Sequence, residues 1–244
     1  MNTVKIYKGN TRMVAHRGMS GLETENSLAA FVAAGNRSYF GEECDIHVTS
    51  DEQIIVIHDE NTGRVALTDI NVERSTFDEV RAVRLRDFNR ENKTNPDGRA
   101  DLVIPTMKEY ITVCKKYEKV CVIELKNHFE KKHISKVIDE INELDYLSGV
   151  IFISFDFENM VALRELLPDQ PLQYLISEFK DDLLEKLDKY GLDLDIYYKA
   201  LNKERIDAVH AHGHLINTWT VDDKAIAEEL AEMGVDFITS NILE

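Results

Sequence analysis

The 244-residue sequence has only three cysteines, four prolines and no long apolar run. Cys44, Cys114 and Cys121 lack CxxC spacing, so we predict reduced thiols and a cytoplasmic location rather than a disulfide framework. The longest apolar stretches, such as residues 149–155, fall far short of the roughly 18 residues that a membrane span needs. Residues 1–10 have no apolar stretch behind their lysines. We therefore expect neither a signal peptide nor stable membrane insertion.

Basic side chains are also scarce, because 29 lysines and arginines stand against 45 aspartates and glutamates, a net charge of −16. Nucleic acids and anionic membranes attract proteins with basic surfaces, so we predict that neither is a partner. A small phosphate-bearing substrate is compatible with this charge. Its site would need a local arginine, lysine or metal ion to offset the repulsion of the whole chain.

Short apolar runs typical of β-strands alternate with helical patterns along most of the chain. The eight predicted strands are residues 13–16, 40–48, 120–125, 150–155, 172–176, 194–198, 215–220 and 237–240. The helical patterns fill most of the gaps between them. This alternation predicts an α/β protein whose parallel sheet closes into a TIM (β/α)8 barrel. A doubly wound open sheet is the alternative, which the missing glycine-rich phosphate loop after the first strand disfavours.

A further apolar run, residues 54–57, breaks the alternation. It follows the preceding strand too closely for a parallel crossover, so we predict an antiparallel hairpin. With Asp51 and Glu52 at its turn, Asp45 would lie opposite His58. The hairpin thus predicts that His58 lies near the polar end of the second strand.

Residues 60–103 are polar and irregular, with a short helical pattern near 76–83. Loops of this length inside a compact domain are usually functional. We interpret the segment as a small insertion after the hairpin, within a single barrel domain that spans residues 1–244. Inside it, residues 95–98 (Asn-Pro-Asp-Gly) are a strong turn signal.

Three carboxylates occupy predicted strand ends, where the active site of such a barrel lies. Glu43 and Asp45 are two residues apart on a strand and point to one face, and Glu124 ends the next barrel strand. Carboxylates inside a barrel are costly unless they are paired or bound to a metal ion. Carboxylates without a cysteine or histidine partner suit one divalent cation, Mg²⁺ or Ca²⁺. A buried ion-pair network with Arg17 and Lys126 is the alternative.

Two histidines, His16 and His58, each end a predicted strand beside these carboxylates. Two imidazoles next to a metal site can serve as a general acid and a general base. The alternative is a pair of structural imidazoles. His47 shares the interior face with the carboxylates, and we predict a hydrogen-bonded filler there rather than a ligand.

Three further side chains can bind a substrate. Arg17 can hold a phosphate with both arms of its guanidinium, and Lys126 adds a second positive charge. Trp219 is the only tryptophan, and its ring can stack on a small apolar or polyol face. A filler in the core or at the rim is the alternative for Trp219.

Eight short blocks resemble the glycerophosphodiester phosphodiesterase family, in the family's order and over essentially the whole chain. They are the sequences at residues 16–18 (HRG), 25–27 (ENS), 43–45 (ECD), 56–59 (VIHD), 104–106 (IPT), 124–126 (ELK), 153–155 (ISF) and 218–221 (TWTV). Three segments depart from the family's pattern: block 25–27, the last strand, and the hairpin turn, where Asp51-Glu52 stands for the family's usual Asp-Gly. Ser27 stands where the family has threonine, and the last strand ends in Thr-Ser-Asn at residues 239–241 rather than in a Thr-Asp pair before a proline.

This resemblance implies a TIM barrel with a small insertion after the HD block. It also implies metal-dependent cleavage of small-molecule glycerophosphodiesters to glycerol 3-phosphate and an alcohol. The roles that the resemblance assigns are acid–base catalysis by His16 and His58, metal binding by Glu43, Asp45 and Glu124, and substrate binding by Arg17, Lys126 and Trp219.

Two aspects of the function are hypotheses of their own. No protein nucleophile is evident, so we expect the substrate's 2-hydroxyl to attack its own phosphate and form a cyclic phosphate intermediate. A lysophospholipid-cleaving phospholipase D of related barrel type is the alternative function. The apolar groove that this alternative needs would come from Phe155, Phe157, Tyr197 and Tyr198. A non-catalytic binding protein is disfavoured because both histidines and all three carboxylates are present.

Overall fold

The computed structural model describes residues 2–87 and 99–244, and eight of its strands form a closed parallel barrel. The strands are β1 (Arg12–Ala15), β2 (Gly41–Val48), β3 (Ile54–Val56), β4 (Val120–Leu125), β5 (Val150–Ser154), β6 (Leu172–Ile176), β7 (Asp193–Tyr197), β8 (Ile216–Trp219) and β9 (Phe237–Ser240). Around the barrel the order is β1-β9-β8-β7-β6-β5-β4-β2, and pairing of β1 with β2 closes it. Closure confirms the predicted barrel and excludes the open sheet.

Helices connect successive barrel strands and cover the outside of the barrel, except the short helix Phe77–Ala82, which packs within the segment after β3. They are α1 (Leu28–Gly35), α2 (Phe77–Ala82), α3 (Met107–Lys116), α4 (Lys131–Glu143), α5 (Phe157–Leu166), α6 (Leu183–Tyr190), α7 (Lys203–Ala211) and α8 (Lys224–Met233). Local sequence explains several ends. Thr106 and Glu109 form a capping box at the start of α3, and Gly234 ends α8 in the left-handed region. In residues 2–87 and 99–244, no helix is long and apolar enough to cross a membrane.

The apolar core has three parts. The largest lies between the barrel and its helices, where outward-facing side chains such as Cys44 and Ile46 of β2 are fully buried. A second fills the lower barrel interior with residues such as Val122 and Ile151. The third belongs to the segment between β3 and α3 together with β3 itself. Because these cores leave the carboxyl ends of the strands open, polar side chains gather there.

The strand β3 lies outside the barrel and pairs antiparallel with β2. The predicted register is wrong by one residue: Ile46 faces Val56, so His58 does not lie opposite Asp45. The cause is the turn, which takes three residues because Thr49 bonds to Gln53. Glu52 occupies the left-handed third position (φ 63°), as in hairpins with a bulge. The predicted turn at residues 95–98 lies outside the described residues.

Glu42 is a buried carboxyl on the outward face of β2. Its side chain is fully buried, and neither oxygen has a hydrogen-bond partner in residues 2–87 and 99–244. Lys119 is a nearby cation, but its Nζ donates to the carbonyls of Arg37 and Tyr39, 2.7 Å from each. Burial raises the pKa of Glu42 to about 8, against the weak opposing effect of Lys119. The side chain therefore costs stability at neutral pH.

We expect Glu42→Met, which keeps the length and removes the carboxyl, to raise the free energy of unfolding. The gain should be on the order of 2 kcal/mol, the scale of an unsatisfied buried polar group. Denaturant unfolding of both proteins at pH 7 measures it. Equal or lower stability of Glu42→Met would show that the carboxyl is compensated in solution.

Candidate active site

All eight predicted site residues lie at the carboxyl ends of the strands and meet at one small cavity. Seven of them line the cavity, which has a volume of about 90 Å³, and Asp45 lies fully buried beside it. The seven are His16, Arg17, Glu43, His58, Glu124, Lys126 and Trp219. Ile153, Phe155, Leu175, Asp195, Thr220 and Thr239 complete the lining. The fold thus brings the predicted site residues together, seven in the lining and Asp45 beside it.

Three carboxylates converge at this cavity. Oxygens of Glu43, Asp45 and Glu124 lie within 4.8 Å of one another, because Asp45 and Glu124 are register partners on β2 and β4. All three residues are buried. Burial and the neighbouring Asp45 raise the pKa of Glu43 well above its usual value and that of Glu124 to about 8. Burial opposes ionisation of Asp45 as well, but Arg17 and Lys126 hold its pKa below the usual range.

Two cations accompany the carboxylates. Lys126 Nζ lies 2.8 Å from Glu124 Oε1 and 3.4 Å from Asp45 Oδ1, and Arg17 Nε lies 3.4 Å from Asp45 Oδ2. The ion-pair network of the alternative hypothesis is therefore present in part. It is incomplete, since three carboxylates face two cations, and Asp45 Oδ1, although 3.4 Å from Lys126 Nζ, accepts no hydrogen bond from the described residues. Converging carboxylate oxygens with an unused buried lone pair fit a hard divalent cation.

A sharp turn after β1 presents Arg17 to the cavity. Arg17 has a φ of 53°, and its backbone N–H donates to Glu43 Oε2 over 2.7 Å. The next residue, Gly18, has a φ of 71°, and a Cβ there would come within 2.7 Å of the Ala30 backbone. The glycine of the HRG block thus lets the strand end turn tightly against α1. This turn brings His16 and Arg17 to the same edge of the cavity.

His16 is oriented by Asn241 at the end of the last strand. Its Nδ1 lies 2.7 Å from Asn241 Oδ1, and its Nε2 lies 4.0 Å from Glu43 Oε2. The Asn241 amide is held in turn by Asp222, to which its Nδ2 donates over 2.6 Å. Burial and Arg17 lower the pKa of His16 to about 4. The departure from the family's pattern at residues 239–241 therefore still provides a partner for His16, and β9 still closes the barrel.

His58 follows β3 and is held at two points. Its Nδ1 lies 2.6 Å from Asp59 Oδ1, and its backbone carbonyl lies 3.1 Å from His47 Nε2. His47 is 1% exposed, and its Nδ1 lies 2.7 Å from Glu73 Oε1. It is therefore the hydrogen-bonded filler that we predicted. Burial lowers the pKa of His58, as do the charges of Arg17 and Lys126. In both site histidines Nδ1 is engaged, which leaves Nε2 for other partners.

A chain of ion pairs links the loops that carry the two histidines. Arg17 Nη1 lies 2.9 Å from Glu25, which contacts Arg64 Nη1 at 2.7 Å. Arg64 Nε in turn lies 2.5 Å from Asp59, the partner of His58. Arg64 belongs to the polar segment after β3, and sequence reasoning did not identify it, because a lone arginine in an irregular stretch has no periodic signal.

Two aromatic side chains, Phe155 and Trp219, line the cavity, and further rings pack against Trp219. Trp219 contacts Phe155 edge-on at 5.6 Å between ring centroids and Tyr197 at 5.5 Å, and Tyr197 contacts Tyr198. Phe155 is 46% exposed. Phe157, which we predicted in the same groove, packs elsewhere against Tyr174 and Tyr190 because it begins α5. The prediction for Phe157 is therefore wrong.

Comparisons with known proteins show the family to which the chain belongs. The model of the glycerophosphoryl diester phosphodiesterase family matches residues 16–243. A glycerophosphodiester phosphodiesterase of Bacillus subtilis (strain 168) is 27% identical over 243 residues, which cover 93% of this chain and 82% of the relative.

Solved structures share the fold. A phosphodiesterase from Oleispira antarctica, solved in complex with its product sn-glycerol-3-phosphate, superposes with a TM-score of 0.84 at 23% identity, over 98% of this chain and 96% of the other. A glycerophosphodiester phosphodiesterase from Parabacteroides distasonis ATCC 8503 has a TM-score of 0.79 at 27% identity, over 96% and 94% of the two chains. The barrel described above is therefore similar to these enzymes along nearly its full length.

Proposed function

The chain belongs to the glycerophosphoryl diester phosphodiesterase family, and we propose that it hydrolyses glycerophosphodiesters to glycerol 3-phosphate and an alcohol with the aid of one divalent cation. One observation carries the proposal: two imidazoles, two cations and three carboxylates meet at one small cavity. The Oleispira antarctica enzyme was solved with sn-glycerol-3-phosphate as its product, which supports the same product here.

Glu43, Asp45 and Glu124 would hold the cation, and their oxygens suit both Mg²⁺ and Ca²⁺. When bound, a divalent cation supplies positive charge that neutralises a phosphodiester and polarises its oxygens. Support comes from the raised pKa of Glu43 and of Glu124, since burial and the neighbouring Asp45 disfavour the ionised forms and a bound divalent cation would favour them.

Arg17 and Lys126 would bind the phosphate from the protein side. Contacts with Glu25 and Asp45 fix the guanidinium of Arg17, so little conformational entropy is lost when it binds an anion. Lys126 is 15% exposed and bridges Glu124 and Asp45, which keeps its ammonium at the cavity. Arg17 and Lys126 therefore supply local positive charge at the cavity, which offsets the repulsion between the negatively charged chain and a phosphate.

His16 and His58 would move the protons. One imidazole takes the proton of the substrate's 2-hydroxyl as that oxygen bonds to phosphorus, and the other gives a proton to the departing alcohol oxygen. Water then adds to phosphorus and the bond to the 2-oxygen breaks, with the two roles reversed. The product of these two steps is glycerol 3-phosphate. Engagement of each Nδ1 by Asn241 or Asp59 supports Nε2 as the transferring atom.

We expect His16→Ala and His58→Ala each to lower kcat about 10²- to 10³-fold, the usual cost of losing general acid or base catalysis. Affinity for the divalent cation should change little, because neither imidazole belongs to the carboxylate cluster. Steady-state kinetics together with metal titration measure both effects. His212→Ala is the matched control, since this partly exposed imidazole pairs with Asp188 away from the cavity. Near wild-type turnover in both site variants would reassign the proton transfers.

Arg17→Lys tests the fixed guanidinium. A lysine keeps the charge but cannot contact Glu25 and Asp45 while also binding a phosphate with two N–H groups. We expect KM to rise about tenfold, the scale of one charge-assisted hydrogen bond. Initial-rate kinetics over a range of substrate concentrations measure it. Unchanged kinetics would assign Arg17 a structural role.

Lysophospholipid cleavage is the second candidate, favoured by the exposed Phe155. This ring borders both the site cavity and a neighbouring groove of about 290 Å³, which also includes Tyr174 and Ile176. An acyl chain could lie along such a groove. Rates on glycerophosphocholine and lysophosphatidylcholine separate the two functions. We expect the short diester to be the better substrate, and a strong preference for the lipid would replace the leading proposal.

A further inference from the structure

Asp195 is a buried carboxyl at the cavity that the proton transfers and phosphate contacts above do not use. It lies in the middle of β7 between Leu194 and Ile196, which are fully buried in the core outside the barrel. Because side chains alternate along a strand, Asp195 points into the barrel. It is 2% exposed and lines the cavity together with the candidate catalytic residues.

The carboxyl of Asp195 is poorly satisfied within the described part of the chain. Its Oδ1 is buried and has no hydrogen-bond partner, and its Oδ2 accepts a long contact of 3.4 Å from Asn217 Nδ2. Its polar neighbours bond to one another. Asn217 Nδ2 donates to Gln173 over 3.1 Å, and Thr239 Oγ1 donates to Asn217 Oδ1 over 3.1 Å. Burial of this carboxyl therefore lowers the stability of the folded protein, because no described residue hydrogen-bonds its Oδ1 atom.

Asp195 lies deep in the cavity, below the residues that would bind phosphate. On β7 and β8 the register pairs Tyr197 with Trp219 at the mouth, and Asp195 is two residues further in, roughly 6–7 Å along the strand. Arg17 and Lys126 follow the ends of β1 and β4 and thus lie at the upper edge. A ligand with its phosphate at that edge would direct its far end toward Asp195.

The surroundings of Asp195 suit a hydroxyl group. Salt bridges of the described residues do not include Asp195, and burial, together with Glu124, raises its pKa well above the usual value, which disfavours a permanent negative charge. The indole Nε1 of Trp219, in the same lining, is also buried, and no described residue accepts a hydrogen bond from it. A hydroxyl group can donate and accept, so it complements a carboxyl whether or not that carboxyl is ionised.

We propose that Asp195 hydrogen-bonds the hydroxyl group of the glycerol unit that is farthest from the phosphate, and so selects glycerol-bearing substrates. The inference rests on the proposed function, because it takes the phosphate to lie at Arg17 and Lys126. Asp195 is thus a specificity residue, separate from the acid–base pair and from the carboxylate cluster.

Two phosphomonoesters that differ by one hydroxyl group test the proposal. Calorimetry in the presence of Ca²⁺ would compare sn-glycerol 3-phosphate with 1,2-propanediol 1-phosphate, which lacks the far hydroxyl. We expect the wild type to prefer the glycerol compound about 10- to 100-fold, the scale of a hydrogen bond to a buried polar group. Asp195→Ala should remove this preference by weakening only the glycerol compound, and Asp195→Asn should retain part of it.

Glu42→Ala is the matched control, because it also removes a buried carboxyl without a hydrogen-bond partner among the described residues, but from the outward face of β2; it should keep the preference of the wild type. The melting temperature of Asp195→Ala should equal or exceed that of the wild type, since an unsatisfied carboxyl is removed. A structural role would instead lower the melting temperature and weaken both ligands alike.

Three results would overturn the inference: no preference in the wild type, an unchanged preference in Asp195→Ala, or an effect of Asp195→Ala only on diesters with an ammonium group. Failure of the proposed function is seen separately. In that case glycerophosphodiesters are not hydrolysed with any added divalent cation, while the hydroxyl preference and its loss in Asp195→Ala remain.

Discussion

Asp45→Asn should reduce kcat to about 10⁻⁴ of the wild-type value or less, because an amide keeps the shape of the side chain but not the charge that a divalent cation needs. Asp45 is central to the cluster: it is fully buried, and oxygens of Glu43 and Glu124 lie within 4.8 Å. Glu43→Gln and Glu124→Gln should have the same direction of effect. Kinetics and calorimetric titration with Mg²⁺ and Ca²⁺ would give parallel losses of turnover and of metal affinity.

Glu42→Gln is a close control for these variants. It removes a buried carboxylate from the same strand, but from the face that points away from the cavity, so metal affinity and turnover should stay at the wild-type level. The ion-pair alternative gives a different result. If Glu43, Asp45 and Glu124 only paired with Arg17 and Lys126, the variants would lose stability, and the wild type would be fully active in excess chelator.

Removal of the substrate's 2-hydroxyl should reduce turnover by about 10⁴-fold or more, since a well-placed internal nucleophile gains several kcal/mol over an external one. Two side chains that could act as protein nucleophiles do not line the cavity. Ser154 Oγ is fully buried and donates to the carbonyl of Leu125, and Cys44 faces the outer core. These side chains are thus not presented to a substrate.

The comparison requires a diester whose 2-hydroxyl is replaced by hydrogen and the natural diester with the same alcohol. Rates of alcohol release measure the first step alone, and binding of the deoxy compound as an inhibitor checks that it still enters the site. Equal turnover of both substrates would exclude the cyclic phosphate and indicate direct attack by water.

The sequence predicted the barrel well because its signals are local and repeated. Each strand is a short apolar run, and alternation on β2 alone separates Glu43 and Asp45 from Cys44 and Ile46. The rule that active sites lie at the carboxyl ends of barrel strands then brings the predicted side chains together. Their placement around one cavity follows from strand order, which the sequence pattern indicates.

Two kinds of feature could not be predicted from the sequence: a strand register that depends on the length of one turn, and contacts that form only in the folded chain. The register of the β2–β3 pair depends on whether the turn takes two or three residues, and Glu52 in the left-handed region settles this only in three dimensions. Asn241 supports His16 across most of the chain, and Arg64 holds Asp59, the partner of His58, from an irregular stretch without a periodic signal. Asp195 was overlooked because an acidic residue in the middle of a predicted strand has no motif, and its lack of partners is visible only after folding.

Release of glycerol 3-phosphate from glycerophosphocholine, measured after chelation and again after Mg²⁺ or Ca²⁺ is added back, tests the central claim most directly. A metal-dependent phosphodiesterase with this site should form no glycerol 3-phosphate in excess chelator and recover its activity with at least one of the two cations, with choline formed in equal amount. Undiminished release in chelator would contradict the role of the carboxylates, and formation of glycerol and phosphocholine instead would contradict the proposed bond cleavage.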